Sequence, residues 1–135
     1  MSKKILIIDD EPDLSALLSF RLEAHGFKVI SALDGPTGLE KAKSDKPDLI
    51  LLDLMMPGMD GFQAAKILKG DPETNEIPVI VFTAMASPEL RQRVSEIRAF
   101  DYITKPFDPK DLLEKVKKAL GGGDELRLGA GYTGS

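Results

Sequence analysis

Asp9, Asp10, Asp53, Thr83 and Lys105 are the residues of this chain whose types and placement could do chemistry. Each follows or ends a short apolar run: residues 4–8 precede Asp9, 49–52 precede Asp53, 79–82 precede Thr83 and 102–104 precede Lys105. Carboxylates brought to one place raise one another's pKa unless a cation lies between them. A hard divalent ion such as Mg2+ suits such a cluster, because it takes oxygen ligands in an octahedral shell and keeps several waters. Asp10 and Asp53 are the expected direct ligands, and Asp9 binds directly or through water. A carbonyl from the loop after Asp53 completes the protein's share. An ammonium and a hydroxyl beside such an ion make a receptor for phosphoryl oxygens. Asp53 then has a second role open to it, as a nucleophile that attacks phosphorus and forms an aspartyl phosphate.

The elements that must position these residues are legible from periodicity. Strand-like runs at 4–8, 28–32, 49–52, 79–82 and 102–104 alternate with helical patterns, which argues for βαβ units and a parallel sheet. Acidic residues before Pro12 mark a helix start, since proline suits the first helical position and negative charge suits the dipole there. Leu14, Leu17, Leu18 and Leu22 recur at helical spacing before Gly26. Gly35-Pro36 opens a second helix, residues 62–69 read as a third, Pro88 opens a fourth with Leu90, Val94 and Ile97, and Asp108-Pro109 a fifth with Leu112, Leu113, Val116 and Leu120. The pattern is a (βα)5 doubly wound sheet. Right-handed crossovers put every strand's carboxyl end at one edge, and ligands bind there where the strand order reverses. In the common order 2-1-3-4-5 that point lies between the first and third strands, the ones that carry Asp9-Asp10 and Asp53.

The chain's 135 residues make one domain with a real core. A net charge of -4 carries no basic surplus for nucleic acid. With no cysteine there is neither a disulfide framework nor a thiolate metal site. No apolar run approaches the roughly 20 residues a bilayer span needs, and no secretion signal opens the chain, so no membrane role and a cytoplasmic location are expected. Residues 1–121 read as the folded domain. Residues 122–135 continue a Gly-rich stretch from Gly121 and read as a flexible tail, a linker or a cloning remnant.

Asp9-Asp10, Asp53, Thr83-Ala84 and Lys105-Pro106-Phe107, in register along five βα units, resemble the receiver domain of two-component response regulators. The stretch Asp53-Leu54-Met55-Met56-Pro57-Gly58-Met59-Asp60-Gly61 is similar to that family's phospho-acceptor loop, and the likeness covers roughly residues 3–121. The resemblance implies the strand order 2-1-3-4-5 and a phosphorylation-activated switch. A sensor histidine kinase or histidine phosphotransfer protein would donate a phosphoryl group to Asp53 with Mg2+ present. Lys105, Thr83 and the Ala84 backbone N–H would bind the phosphoryl oxygens, and the loop carbonyl on the metal would be that of Met55. Thr83 and Tyr102 would act as the switch, and an output domain or partner protein would read the face of helix 4, strand 5 and helix 5. The domain would catalyse its own phosphorylation and dephosphorylation without being a conventional metabolic enzyme. The Lys105-Pro106 bond is expected to be cis, turning the amine back into the crevice.

The chain departs from the family where glycine-alanine often precedes strand 5: Arg98-Ala99, then Phe100, stand there. Met55 and Met85 are expected to flank the site. Taken singly, each residue has a plainer role: Asp9, Asp10 and Glu11 as charges at a helix start, Asp53 and Asp60 as turn residues, Lys105 as a solvated lysine, His25 as a helix end. Their coincidence at one sheet edge favours chemistry. A flavin-phosphate binder wants glycine or hydroxyl residues after the first strand, not Asp-Asp-Glu. A phosphate-ester hydrolase wants a general acid or base near Asp53, and the pattern offers none. The remaining alternative is a docking module that works without phosphorylation.

Overall fold

The computed structural model describes residues 2–84 and 88–121. Its elements alternate as β1 (Lys4–Ile8), α1 (Pro12–Ala24), β2 (Lys28–Ala32), α2 (Gly35–Asp45), β3 (Leu49–Asp53), α3 (Gly61–Gly70), β4 (Val79–Thr83), α4 (Leu90–Glu96), β5 (Asp101–Thr104) and α5 (Pro109–Ala119). The strands form a five-stranded parallel sheet in the order β2-β1-β3-β4-β5, the expected doubly wound arrangement. The expected tail (122–135) and Met85 lie outside the described residues.

Strand periodicity of two divides the core into two layers. Leu6, Ile8, Ile50, Leu52, Val79 and Val81 point to one face, where α2, α3 and α4 cover them with Ala42, Phe62, Ala65, Leu68 and Val94. Ile5, Ile7, Leu49, Leu51, Ile80 and Phe82 point to the other, beneath Leu18 and Leu22 of α1 and Leu112 and Val116 of α5. Burying each such side chain stabilises the fold by about 1.5–3 kcal/mol. β3 and β4 are buried along their whole length, so they read as continuous apolar runs. This double-sided burial holds the carboxyl ends of β1, β3 and β4 in fixed register.

Helix starts follow local rules. Asp34 caps α2 through the Thr37 N–H (2.8 Å), and Asp60 with Gln63 forms a capping box on α3. Leu17, one of the leucines at helical spacing in α1, is 45% exposed. It lies about 100° round the helix from Leu18, and the helix instead buries Ser15 with Leu18 and Leu22. Leu113 and Leu120 are half-buried, so α5's fully buried stripe is Leu112 and Val116 alone. Arg98 adopts a left-handed conformation (φ 53) where a glycine was looked for, so the turn keeps its shape at a backbone cost of about 1 kcal/mol. The Phe100 N–H then donates to the Val79 carbonyl (2.7 Å), and the chain enters β5 normally.

Gly61 shows how closely α3 meets the end of β3. A Cβ there would meet the carbonyl of Asp53 and lie 2.5 Å from Leu54 Cα, all of it backbone. Gly70, at the other end of the helix, has nothing within 4 Å. Gly61→Ala should therefore lower the unfolding free energy by about 2 kcal/mol or more, whereas Gly70→Ala should be neutral or stabilise by up to about 1 kcal/mol. Urea denaturation of both variants measures the difference; equal effects would show that the approach at Gly61 is not tight.

Candidate functional site

The strand order places β1 beside β3, and Ile8 pairs with Leu52. Asp9, one residue past β1, therefore meets Asp53, the last residue of β3. Asp9 is fully buried and Asp53 is 3% exposed, while Asp10 is half-buried. Ligand oxygens of Asp9, Asp10 and Asp53 all lie within 4.8 Å of one another. Thr83 is fully buried at the end of β4. Lys105 is tied to β4 by its N–H, which donates to the Thr83 carbonyl (2.8 Å), and its peptide bond to Pro106 is cis.

The Lys105 ammonium closes the group. Its Nζ lies 3.2 Å from Asp9 Oδ2, 3.1 Å from Asp53 Oδ2 and 2.9 Å from Glu11 Oε1. The opposite oxygens are held by backbone: Glu11 N–H donates to Asp9 Oδ1 and Met55 N–H to Asp53 Oδ1, each at 2.9 Å. Phe82 forms the floor, with Lys105 Nζ 4.8 Å from its ring centroid, and Phe107 packs edge-on against Phe82 at 5.3 Å. Burial pushes the Asp9 carboxyl up from its ordinary value, against the Glu11 N–H and the Lys105 charge that pull it down. Burial also works against the Lys105 charge, but the bonds to Glu11 and Asp53 and the nearby carboxylate charges prevail and raise its pKa. Lys105 is held as a cation.

Not every residue singled out in the sequence comes to this cluster. The Met55 side chain points to solvent and is 56% exposed, so only its backbone belongs to the site. Met56 is buried in the core and Met59 packs against it. Ala84 is exposed at the end of β4. Tyr102 is half-buried on the side of α4 and α5, with Lys115 Nζ 5.7 Å from its ring centroid. Glu11 was read only as a charge at a helix start, yet its side chain caps nothing and reaches Lys105 instead. Its signal was its type: glutamate is not among the residues that cap well, and Pro12 fixes it at that position.

A half-buried carboxylate next to two buried ones should repel them. Among the described residues the Asp10 side chain has no hydrogen bond or ion pair to offset that. In metal-free buffer Asp10→Asn should be more stable than the wild type by on the order of 1 kcal/mol. Thermal melts in chelator test this, and a less stable variant would show that Asp10 is held by contacts rather than strained by charge.

The model of the response regulator receiver domain matches residues 5–117. The phosphate regulon transcriptional regulatory protein PhoB of Klebsiella pneumoniae is 41% identical over 120 residues, which are 89% of this chain and 52% of that protein. Response regulator PleD of Caulobacter vibrioides is 45% identical over 117 residues, covering 87% of this chain and 26% of that protein. The chain thus spans between about a quarter and about half the length of these curated relatives. Among solved structures, the chemotaxis protein CheY4 of Vibrio cholerae superposes with a TM-score of 0.84 at 31% identity, covering 89% of this chain and all of that one (100%). A putative response regulator from Chloroflexus aurantiacus gives 0.85 at 30% identity, covering 90% of this chain and 99% of that one.

Proposed function

Because this chain belongs to the response regulator receiver domain family of two-component systems, we infer that it is a phosphorylation-activated switch whose acceptor is Asp53. The observation that carries this reading is the Lys105 ammonium 3.1 Å from Asp53 Oδ2, beside the trio of Asp9, Asp10 and Asp53. A lysine with no role in phosphoryl transfer has little reason to be drawn into a buried acidic cleft at 14% exposure.

The donor set fits Mg2+: the cluster offers carboxylate oxygens within 4.8 Å of one another and contains neither histidine nor cysteine. Asp9, Asp10 and Asp53 would hold the ion together with the Met55 carbonyl. Once bound, it supplies positive charge against the oxygens of the group being transferred. The chain's own residues do the rest. An Asp53 carboxylate oxygen attacks the phosphorus of a phosphohistidine on the donor protein. The new O–P bond forms as the P–N bond breaks, and the imidazole leaves with the bonding pair. Lys105, the Thr83 hydroxyl and the Ala84 N–H take the phosphoryl oxygens as negative charge gathers on them. Water later attacks the same phosphorus and returns the carboxylate.

The donor in this reading is a sensor histidine kinase or a histidine phosphotransfer protein, and the domain, residues 1–121, works in the cytoplasm. Among the described residues no helix is long and apolar enough to cross a membrane. Thr83 and Tyr102 pass the change to the face of α4, β5 and α5, which an output domain or partner protein reads. A cleft of about 610 Å3 lies on that face, lined by Arg91, Val94, Phe100, Tyr102, Phe107 and Lys115. It gives Tyr102 room to move.

Acetyl phosphate with Mg2+ should label the wild type, and Asp53→Asn should take up none; label retained by Asp53→Asn would place the acceptor elsewhere. Chelating the metal should abolish uptake by the wild type. Lys105→Ala should still be labelled, on the order of a hundredfold more slowly, but should lose the change in amide exchange on α4, β5 and α5 that beryllofluoride produces in the wild type. A full wild-type change in that variant would mean the switch runs through other residues.

A further inference from the structure

An ammonium has three N–H donors. In the unmodified protein the Lys105 ammonium meets three carboxylates, those of Asp9, Asp53 and Glu11. Phosphorylation of Asp53 removes that carboxylate's charge and passes one donor to a phosphoryl oxygen; a second phosphoryl oxygen is bound only if Asp9 or Glu11 gives up its contact. The partners differ in what release costs them. The Asp9 side chain is fully buried, and an unpaired charge there has no water to turn to. The Glu11 side chain is 59% exposed, yet it makes the shortest of the three contacts, at 2.9 Å. It can swing into solvent and be rehydrated.

Charge points the same way. A phosphoryl oxygen and Glu11 Oε1 on one ammonium would bring a dianion against a carboxylate in a crevice that already holds Asp9 and Asp10. The carboxylate free to leave is the one that yields. Glu11 is also placed to do this without disturbing the cleft. It is the N-cap residue of α1, but its side chain makes no cap hydrogen bond, and Pro12 follows it. Its N–H, which donates to Asp9 Oδ1, can stay in place while the side chain turns.

We propose that Glu11 is a positioning residue that holds Lys105 over Asp53 in the unmodified state and surrenders it to the phosphoryl group. The proposal rests on Asp53 being the acceptor. Glu11 then sets part of the free-energy difference between the two states, because its contact with Lys105 exists in only one of them. Removing that contact destabilises the unmodified state alone and tightens the binding of a phosphoryl mimic.

The test is calorimetric titration of the protein with beryllofluoride at saturating Mg2+, for the wild type, Glu11→Gln and Glu11→Asp. Glu11→Asp keeps the charge but is one methylene too short to reach Lys105 as Glu11 does, so it separates the contact from simple repulsion of the anion. Both variants should bind about two- to fivefold more tightly than the wild type, the range expected for an exposed ion pair. Tightening in Glu11→Gln with wild-type affinity in Glu11→Asp would overturn the proposal, because charge alone would then explain the effect. Unchanged or weaker binding in both would overturn it too, showing that Lys105 keeps Glu11 in the modified state. A wild type that binds no beryllofluoride would instead refute Asp53 as the acceptor.

Discussion

The structure depends on one interaction at the edge of its sheet: a single ammonium holding carboxylates that would otherwise repel one another. Lys105 is the cation that lets Asp9 and Asp53 sit buried side by side at the ends of β1 and β3. Buried charges are tolerated only when paired and fully hydrogen-bonded. Here each of the two carboxylates has one oxygen on Lys105 and the other on a backbone N–H, from Glu11 or Met55. No buried side-chain polar atom among the described residues is left without a partner. The arrangement is satisfied but balanced on one lysine, so a change in the charge of Asp53 has to be felt at Lys105.

The scaffold around this cluster supplies the rigidity that the cluster lacks. β3 and β4 are buried along their length, and their pairing puts Asp53 opposite Phe82. α3 begins hard against the carbonyl of Asp53, where Gly61 removes the one atom that would collide. The Asp60–Gln63 capping box fixes that helix start independently of the site. The core therefore sets the position of Asp53 to within the tolerance of close packing, while Lys105 and Glu11, on the loops after β5 and β1, retain freedom to exchange partners.

Much of this was legible in the sequence because it follows from period and punctuation. Apolar runs ending in Asp9, Asp53, Thr83 and before Lys105 give both the sheet and its functional edge, since parallel strands share one carboxyl end. What escaped depends on rotation or reach rather than on period. Leu17 fits a leucine pattern but stands on the solvent side of α1, because Ser15 takes a buried place that composition would not assign to it. The backbone at Arg98 is of the kind glycine adopts, and a residue's letter does not reveal that the surrounding fold imposes a positive φ on it. Glu11 looked like part of an acidic helix start. Its contact with Lys105 spans 94 positions of chain, which no local pattern encodes.

The same lysine also lies at the head of a continuous set of contacts leading away from the cleft. Its ammonium rests over Phe82, Phe82 meets Phe107 edge-on, and Phe107 lines the cleft that Tyr102 also lines. β5 is an edge strand, paired only to β4, so its outer backbone groups need other partners. Tyr102 finds them in side chains: its N–H donates to Asp101 Oδ1 (2.7 Å), and its carbonyl accepts from Lys115 Nζ (2.9 Å). A shift of β5 disturbs one ladder, whereas β3 and β4 each lie between two. Contiguous packing is not by itself coupling. It does determine where coupling can be expressed: the buried strands fix the cleft, and the displaceable edge is β5, on the face where α4 and α5 leave room.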